Sequence, residues 1–280
     1  MNAAKYGKVE AVQCLISNGA DPDSQDNSGQ NSLHWASYSG HTDVIELLVS
    51  HVTDIEPKDN RGKTPLKVAA KKGKVEAVQC LISKGADPDS RDNKGLNSLH
   101  WASYGGCVDV IELLVRHMTD IEPRDDRGRT LLMVAAKRGK VKAVQCLISK
   151  GVDPTSSDYS GWNSLHWASY GDHVAVIELL VNHMTDIDSR DVLGRTPLMV
   201  AAVEGKVKAI EYLITRGADP ASRDNLEMNS LHWASCSGHV DVIKLLVNHM
   251  TDIEPRHPLG WTPLLAAALG GRIHGAQCDQ

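Results

Sequence analysis

No stretch of this 280-residue chain approaches the roughly 18 consecutive apolar residues that a membrane-spanning helix requires, so no segment reads as one. The opening Met-Asn-Ala-Ala-Lys-Tyr-Gly has no basic region followed by an apolar run, as a secretion signal would. Cysteine is sparse, at six residues, with no C-x-x-C pair; that excludes a disulfide scaffold and the usual cysteine zinc and redox motifs. There is no Asn-x-Ser/Thr glycosylation sequon. These absences predict a soluble intracellular protein, cytoplasmic or alternatively nuclear, with no membrane insertion. Nor is there an excess of positive charge: 30 Lys and Arg stand against 35 Asp and Glu, a formal net charge of -5, so the chain as a whole is not built like a nucleic-acid binder. With 41% hydrophobic and 23% charged residues it falls in the globular range, and disorder is excluded.

What is present is repetition. "LHWASYSGH" at Leu33 returns as "LHWASYGGC" at Leu99, "LHWASYGDH" at Leu165 and "LHWASCSGH" at Leu231, each 66 residues after the last. Midway between these copies lies a second version of the pattern, beginning at Thr64, Thr130 and Thr196, so the basic period is 33. We call units of the Thr64 kind type A and those of the Leu33 kind type B. A period of 33 excludes one compact core and implies a stack in which each unit buries its apolar face on its neighbours.

Local signals define the unit as two helices and a turn. In type A, Thr64 is the expected N-cap and Pro65 the first helical residue; in type B, Asn31 and Asn97 are the caps. The first helix stops near Gly73 or Gly40. The second, such as Val75 to Ser83, has apolar residues at Val75, Val78, Leu81 and Ile82, a spacing that makes one buried stripe. The same register predicts that Leu113 is buried and that Cys14, Cys80 and Cys146 are core residues. Gly85 supplies a left-handed residue after the helix, and "ADPDSRDNKG" reads as a tight turn.

These residues resemble the ankyrin repeat, whose pattern runs D-x-x-G-x-T-P-L-H-x-A-A-x-x-G-H, then an apolar second helix, then G-A-D. Asp59, Gly62, Thr64, Pro65, Leu66, Ala69, Ala70, Gly73, Leu81, Gly85, Ala86 and Asp87 occupy the matching places. The resemblance implies an all-α ankyrin-repeat solenoid of helix-turn-helix units joined by β-turn or hairpin loops. It divides the chain into a partial unit 1–25, full units 26–58, 59–91, 92–124, 125–157, 158–190, 191–223 and 224–256, and a partial unit 257–280 that loses its second helix; the chain reads as a piece of a longer array. Type A units replace the family's histidine by Lys67, Met133 and Met199, whereas His34, His100, His166 and His232 keep it. Type B units place Val52, Met118, Met184 and Met250 where a glycine closes the second helix, so that end must adopt another conformation. Asp172, with Gly171 one place early, replaces the inter-helix glycine and Glu227 the turn glycine, which predicts local distortion.

The residues that first suggest chemistry resolve into structure. Units about 10 Å apart would hold His34 and His100 roughly 20 Å from each other, too far to share a metal, and the family uses this histidine to brace turns. "DPDSQDNSG" from Asp21 lacks the central glycine and closing glutamate of a calcium loop. Outside the repeat pattern, Cys107, Asp172, His257, His274 and Cys278 make no nucleophile-base set. No metal, cofactor or catalytic residue is therefore expected.

The positions the pattern leaves free are the turn tip and the ends of the two helices, which the resemblance places on a concave binding face. In type A units they carry Lys63, Lys71, Lys72 and Lys84, then Arg127, Arg129, Lys137, Arg138 and Lys150, then Arg195 and Arg216. In type B units they carry Tyr38 and His51, Tyr104 and His117, and Trp162, Tyr170 and His183, while Glu46, Asp109, Glu112 and Glu178 fall on second helices, toward the outside. The resemblance implies a protein-binding module, and the sorting of charge implies that the protein partner is acidic or phosphorylated. Exposed histidines would tighten such binding below about pH 6.5. Nucleic acid or a phosphorylated small molecule, with rings stacking on bases, is the alternative; a passive spacer within a longer scaffold is a third. A monomer is expected.

Overall fold

A computed structural model of the chain describes residues 1–257 and 259–268, and all regular secondary structure among them is helical. The first helices of successive pairs are α1 (Asn2–Lys5), α3 (Ser32–Ser39), α5 (Pro65–Lys72), α7 (Ser98–Gly105), α9 (Leu131–Lys137), α11 (Ser164–Tyr170), α13 (Pro197–Val203) and α15 (Ser230–Ser237). The second helices are α2 (Val9–Ser17), α4 (Thr42–Val49), α6 (Val75–Ser83), α8 (Val108–His117), α10 (Val141–Ser149), α12 (Val174–Val181), α14 (Val207–Thr215) and α16 (Val240–Val247). Residues 263–268 are helical as well.

The chain forms two compact units, Met1–Ala135 with Gln145–Val152, and Ala136–Val144 with the described residues from Asp153 onward. In the first, α1, α3, α5 and α7 pack in succession as one row and α2, α4, α6 and α8 as another. In the second, α11, α13 and α15 form one row and α12, α14 and α16 the other.

The type B caps form as the sequence indicates. Asn31 Oδ1 accepts the His34 amide at 3.2 Å, and the histidine ring returns to the Asn31 backbone amide, closing a capping box that recurs at Asn97, Asn163 and Asn229. His34 Nε2 donates to the Lys63 carbonyl at 3.0 Å, so Nδ1 is the nitrogen left to accept. In the corresponding way His100 reaches the Arg129 carbonyl, His166 that of Arg195 and His232 that of Trp261. Each buried histidine thus ties its helix to the turn of the following repeat. Thr64 differs from expectation: it occupies the N-cap place, but its buried hydroxyl finds no partner, whereas Thr196 accepts the Met199 amide at 3.3 Å.

The turns are built on an aspartate. Asp26 Oδ1 accepts the amides of Ser28 and Gln30, and the turn closes with Gly29 N–H on the Asp26 carbonyl. Consecutive turn tips are joined by one backbone bond per step, Asn60 N–H to the Ser28 carbonyl and Asn93 N–H to that of Arg61, and the Asn60 and Asn93 side chains add a second to the Asn27 and Asn60 carbonyls. Asp172 and Glu227 hold the glycine places at φ +58°. The backbone therefore keeps its path there, and in the case of Asp172 a carboxylate bond to the Ala209 amide, 2.9 Å, supports it. The type B helix ends do change conformation: α8 closes on Met118 in extended backbone.

The buried face is shifted slightly from the predicted stripe. In α6 it is Ala77, Val78 and Leu81, and in α8 Val110, Ile111 and Leu114; Leu113, expected inside, is half-buried. The same shift moves the cysteines out of the core, with Cys14 exposed and Cys80 and Cys146 half-buried.

Lys67, in place of the family histidine, is fully buried, and its Nζ donates to Ser90 Oγ at 2.7 Å near Glu56. Burial lowers its pKa to about 8 and raises that of Glu56. Because the unfolded lysine titrates near 10.5, the unfolded chain binds more protons between these values, so stability rises with pH from about 8 to 10.5. Met133 and Met199 show that the fold accepts methionine at this place. Lys67→Met is expected to raise stability at pH 7 by about 2 kcal/mol and to remove the alkaline gain, as read by urea midpoints at pH 7 and 10.

Candidate binding face

The tryptophan and tyrosine of each "LHWASY" copy stand three residues apart and so share one face of a first helix. Each tryptophan is fixed from behind: Trp35 Nε1 donates to Asp26 Oδ2 at 3.2 Å, Trp101 to Asp92 at 2.9 Å and Trp167 to Asp158 at 3.0 Å. The aspartate that builds the turn therefore also orients the ring nine residues later. Trp35 and Tyr38 meet at 5.9 Å and 55°, and Trp101 and Tyr104 at 5.2 Å and 52°, so the two rows repeat one geometry.

Lysines from the flanking type A units lie over these rings. In the first unit Lys5 Nζ sits 4.8 Å from the Trp35 centroid and Lys72 4.4 Å from Tyr38. Lys63 is 4.0 Å from Trp101, and Lys71 lies 5.2 Å from Trp101 and 4.9 Å from Tyr104. A hydrogen bond from Lys72 holds the Tyr38 hydroxyl below the usual phenol pKa, and partial burial lowers the Lys63 ammonium. In the second unit Lys137 is 4.0 Å from Trp167 and 5.0 Å from Tyr170, and Trp162 packs edge-on to Trp167 at 4.7 Å. Trp162 donates to Asp191, which is also ion-paired with Arg195 at 2.8 Å. The ring contacts orient the lysine ammonium groups.

The structure thus brings together Tyr38, Lys63, Lys71, Lys72 and Tyr104 in one unit and Lys137, Trp162 and Tyr170 in the other. Arg138 is exposed just beyond α9. Arg129 is turned onto its own turn, paired with Asp125 at 2.6 Å. The remaining positions belong to the second-helix row: Lys84 follows α6, Lys150 follows α10, and His51, His117 and His183 are exposed at the ends of α4, α8 and α12. His51 and His183 bond the carbonyls of Leu47 and Leu179, one turn back in their own helices. Glu46, Asp109, Glu112 and Glu178 are exposed on this same row.

Sequence reasoning passed over Lys5 and the three tryptophans, having assigned the latter to the repeat pattern. Their signal was the three-residue offset from a tyrosine. The pattern ends in the last type B unit, where Cys236 stands for the tyrosine and Val203 for the lysine; Trp101 and Trp233 are both buried, at 8% and 1% exposure.

A family model for ankyrin repeats in three copies matches residues 1–92, 70–158, 99–191, 132–224 and 198–277. This chain belongs to the ankyrin-repeat family. No curated protein matches it. Ankyrin repeats are in general non-enzymatic modules of protein–protein interaction. This ankyrin-repeat chain has, among its described residues, no group of three His, Cys, Asp or Glu able to hold a metal ion and no helix long and apolar enough to cross a membrane. His274 and Cys278 lie outside the described residues.

Proposed function

We propose that this protein is a non-enzymatic scaffold that binds an acidic or phosphorylated protein segment along its first-helix rows. The observation that carries this reading is the placing of lysines over ordered aromatic pairs on α3, α7 and α11, against acidic residues on the second helices. Charge at this face steers an acidic segment, and the held rings offer rigid anchors with little entropy left to lose on binding. Positive groups that rest on rings are also pre-positioned, which lowers the cost of ordering them.

Binding of the purified chain to acidic peptides, phosphopeptides and short oligonucleotides tests this, beside a variant with Lys71, Lys72, Lys137 and Arg138 changed to Glu. Loss of peptide binding by about tenfold or more in the variant is expected, more marked at low salt than at physiological salt. Peptide binding indifferent to the four changes would reject the basic face, and binding of oligonucleotides alone would favour nucleic acid as the ligand.

A further inference from the structure

Four consecutive turns of the second compact unit each expose an apolar side chain at the tip: Tyr159, Val192, Leu226 and Leu259 are 73%, 62%, 43% and 75% exposed. The four turns of the first unit are polar there. Asn27, Asn60, Asn93 and Asp126 stand at the place of Tyr159 and Val192, and Ser28, Arg61, Lys94 and Arg127 at the place of Leu226 and Leu259. The contrast does not follow repeat type, since each set of four holds two turns of type A and two of type B, so copying of one repeat does not account for it. Folding does not account for it either. Asparagine at the first tip place ties its turn to the one before: Asn60 Nδ2 donates to the Asn27 carbonyl at 3.0 Å, Asn93 to that of Asn60 at 3.3 Å and Asn225 to that of Val192 at 3.2 Å. Tyr159 and Val192 have no side-chain donor for that bond and put apolar surface in water instead. Such a loss of local stability is usual where a surface serves binding.

Resting on the reading above, we propose that these tips form a second contact for the same partner, an apolar edge that takes the hydrophobic side chains of the acidic segment. The edge is continuous. Val192 N–H bonds the Ser160 carbonyl at 3.2 Å and Asn225 N–H the Leu193 carbonyl at 2.9 Å, so these successive tips touch. It also runs into the aromatic cluster of the candidate face. Trp162 closes the turn that carries Tyr159, its carbonyl accepting the Asp158 amide at 2.9 Å, and its ring N–H reaches Asp191, the neighbour of Val192, at 3.0 Å. The same ring packs on Trp167, over which Lys137 lies. Cations are fixed along the edge as well. Arg190 Nη1 bridges the carbonyls of Gly194 and Arg223, and Arg223 Nη1 those of Glu227 and Arg256, so each guanidinium is held between its own turn and the next. Apolar tips beside fixed cations complement hydrophobic residues interspersed with carboxylates. A lipid surface fits less well, because Glu227 stands exposed beside Leu226 on the same edge and would face anionic headgroups, whereas a peptide can set its carboxylates at the arginines.

The test uses the full chain and two labelled peptides of equal charge in fluorescence polarisation: Asp-Leu-Glu-Phe-Asp-Leu-Glu-Phe-Asp-Leu, and its counterpart with serine at every leucine and phenylalanine. The apolar peptide is expected to bind about tenfold tighter. Tyr159→Asn with Val192→Asn, which copies the residue the chain carries at Asn27, Asn60 and Asn93, should abolish that preference and leave the affinity for the serine peptide unchanged. The urea midpoint of this variant should hold or rise. Lys137→Glu should weaken both peptides alike. Equal binding of the two peptides, a preference that survives the double substitution, or a fall in the urea midpoint, which would make the two side chains structural, overturns the proposal. Binding to mixed vesicles of phosphatidylcholine and phosphatidylserine that the double substitution removes would assign the edge to lipid and overturn it too. Silence of both peptides, while other acidic peptides bind, overturns it and leaves the proposed function standing; silence of every acidic peptide overturns both.

Discussion

Leu114→Ala is expected to cost about 2–5 kcal/mol, among the largest losses available to a single substitution in this chain. Leu114 is completely buried in α8, which packs on α6 and against α7 of its own pair. Truncation there removes apolar surface and leaves a cavity that close-packed neighbours cannot fill. In a stack the damage is transmitted, because each repeat is stabilised mainly by the interfaces with its neighbours. The control is the adjacent residue. Leu113 is only half-buried, so Leu113→Ala should cost about 1 kcal/mol. Urea titrations followed by circular dichroism separate the two; equal costs would mean that the buried face of α8 has been assigned to the wrong residues.

Acidification from pH 6.5 to 4 is expected to remove about 3 kcal/mol through His100 alone. Burial pushes that ring down to about 4, against an ordinary value of 6.5. As pH falls through this window, the unfolded chain takes up a proton that the folded chain refuses; stability is full above 6.5 and declines toward 4. His34, His166 and His232 are lowered for the same reason and add to the slope. Glu56, Asp188 and Asp224 are raised by burial and act in the opposite sense, chiefly at the lower end of the window. His100→Met, copying the residue at the type A places, should lower stability at pH 7 by loss of the bond to Arg129, yet flatten the decline below 6.5. An acid profile unchanged by the substitution would show that His100 titrates freely in the folded protein.

Much of the fold was legible because its determinants are local and repeated. Asn31, Pro65, Gly40 and Gly85 set helix ends by backbone chemistry, and seven recurrences of one pattern leave little freedom in register. What failed depended on tertiary context. Leu113 and Cys80 stand at places where a helical stripe is ambiguous by one residue, and only the packing of neighbouring helices decides which side is inner. Thr64 has the right residue type for a cap but not the geometry. The candidate face was half visible: the sorting of lysines and tyrosines can be read along the chain. The stacking of one on the other cannot, because Lys72 and Tyr38 are 34 residues apart and meet only when α3 and α5 pack. The division of the free positions between two helix rows was hidden for the same reason.

Hydrogen exchange on the full chain, with and without its tightest-binding acidic peptide, bears most directly on where the partner sits. Protection confined to the first-helix rows, on α3, α5, α7 and α11 and the turn tips beside them, is the expected result. Protection on the second helices α4, α6, α8 and α12 would place the partner on the acidic row and contradict the assignment of the lysine and aromatic rows as the binding face.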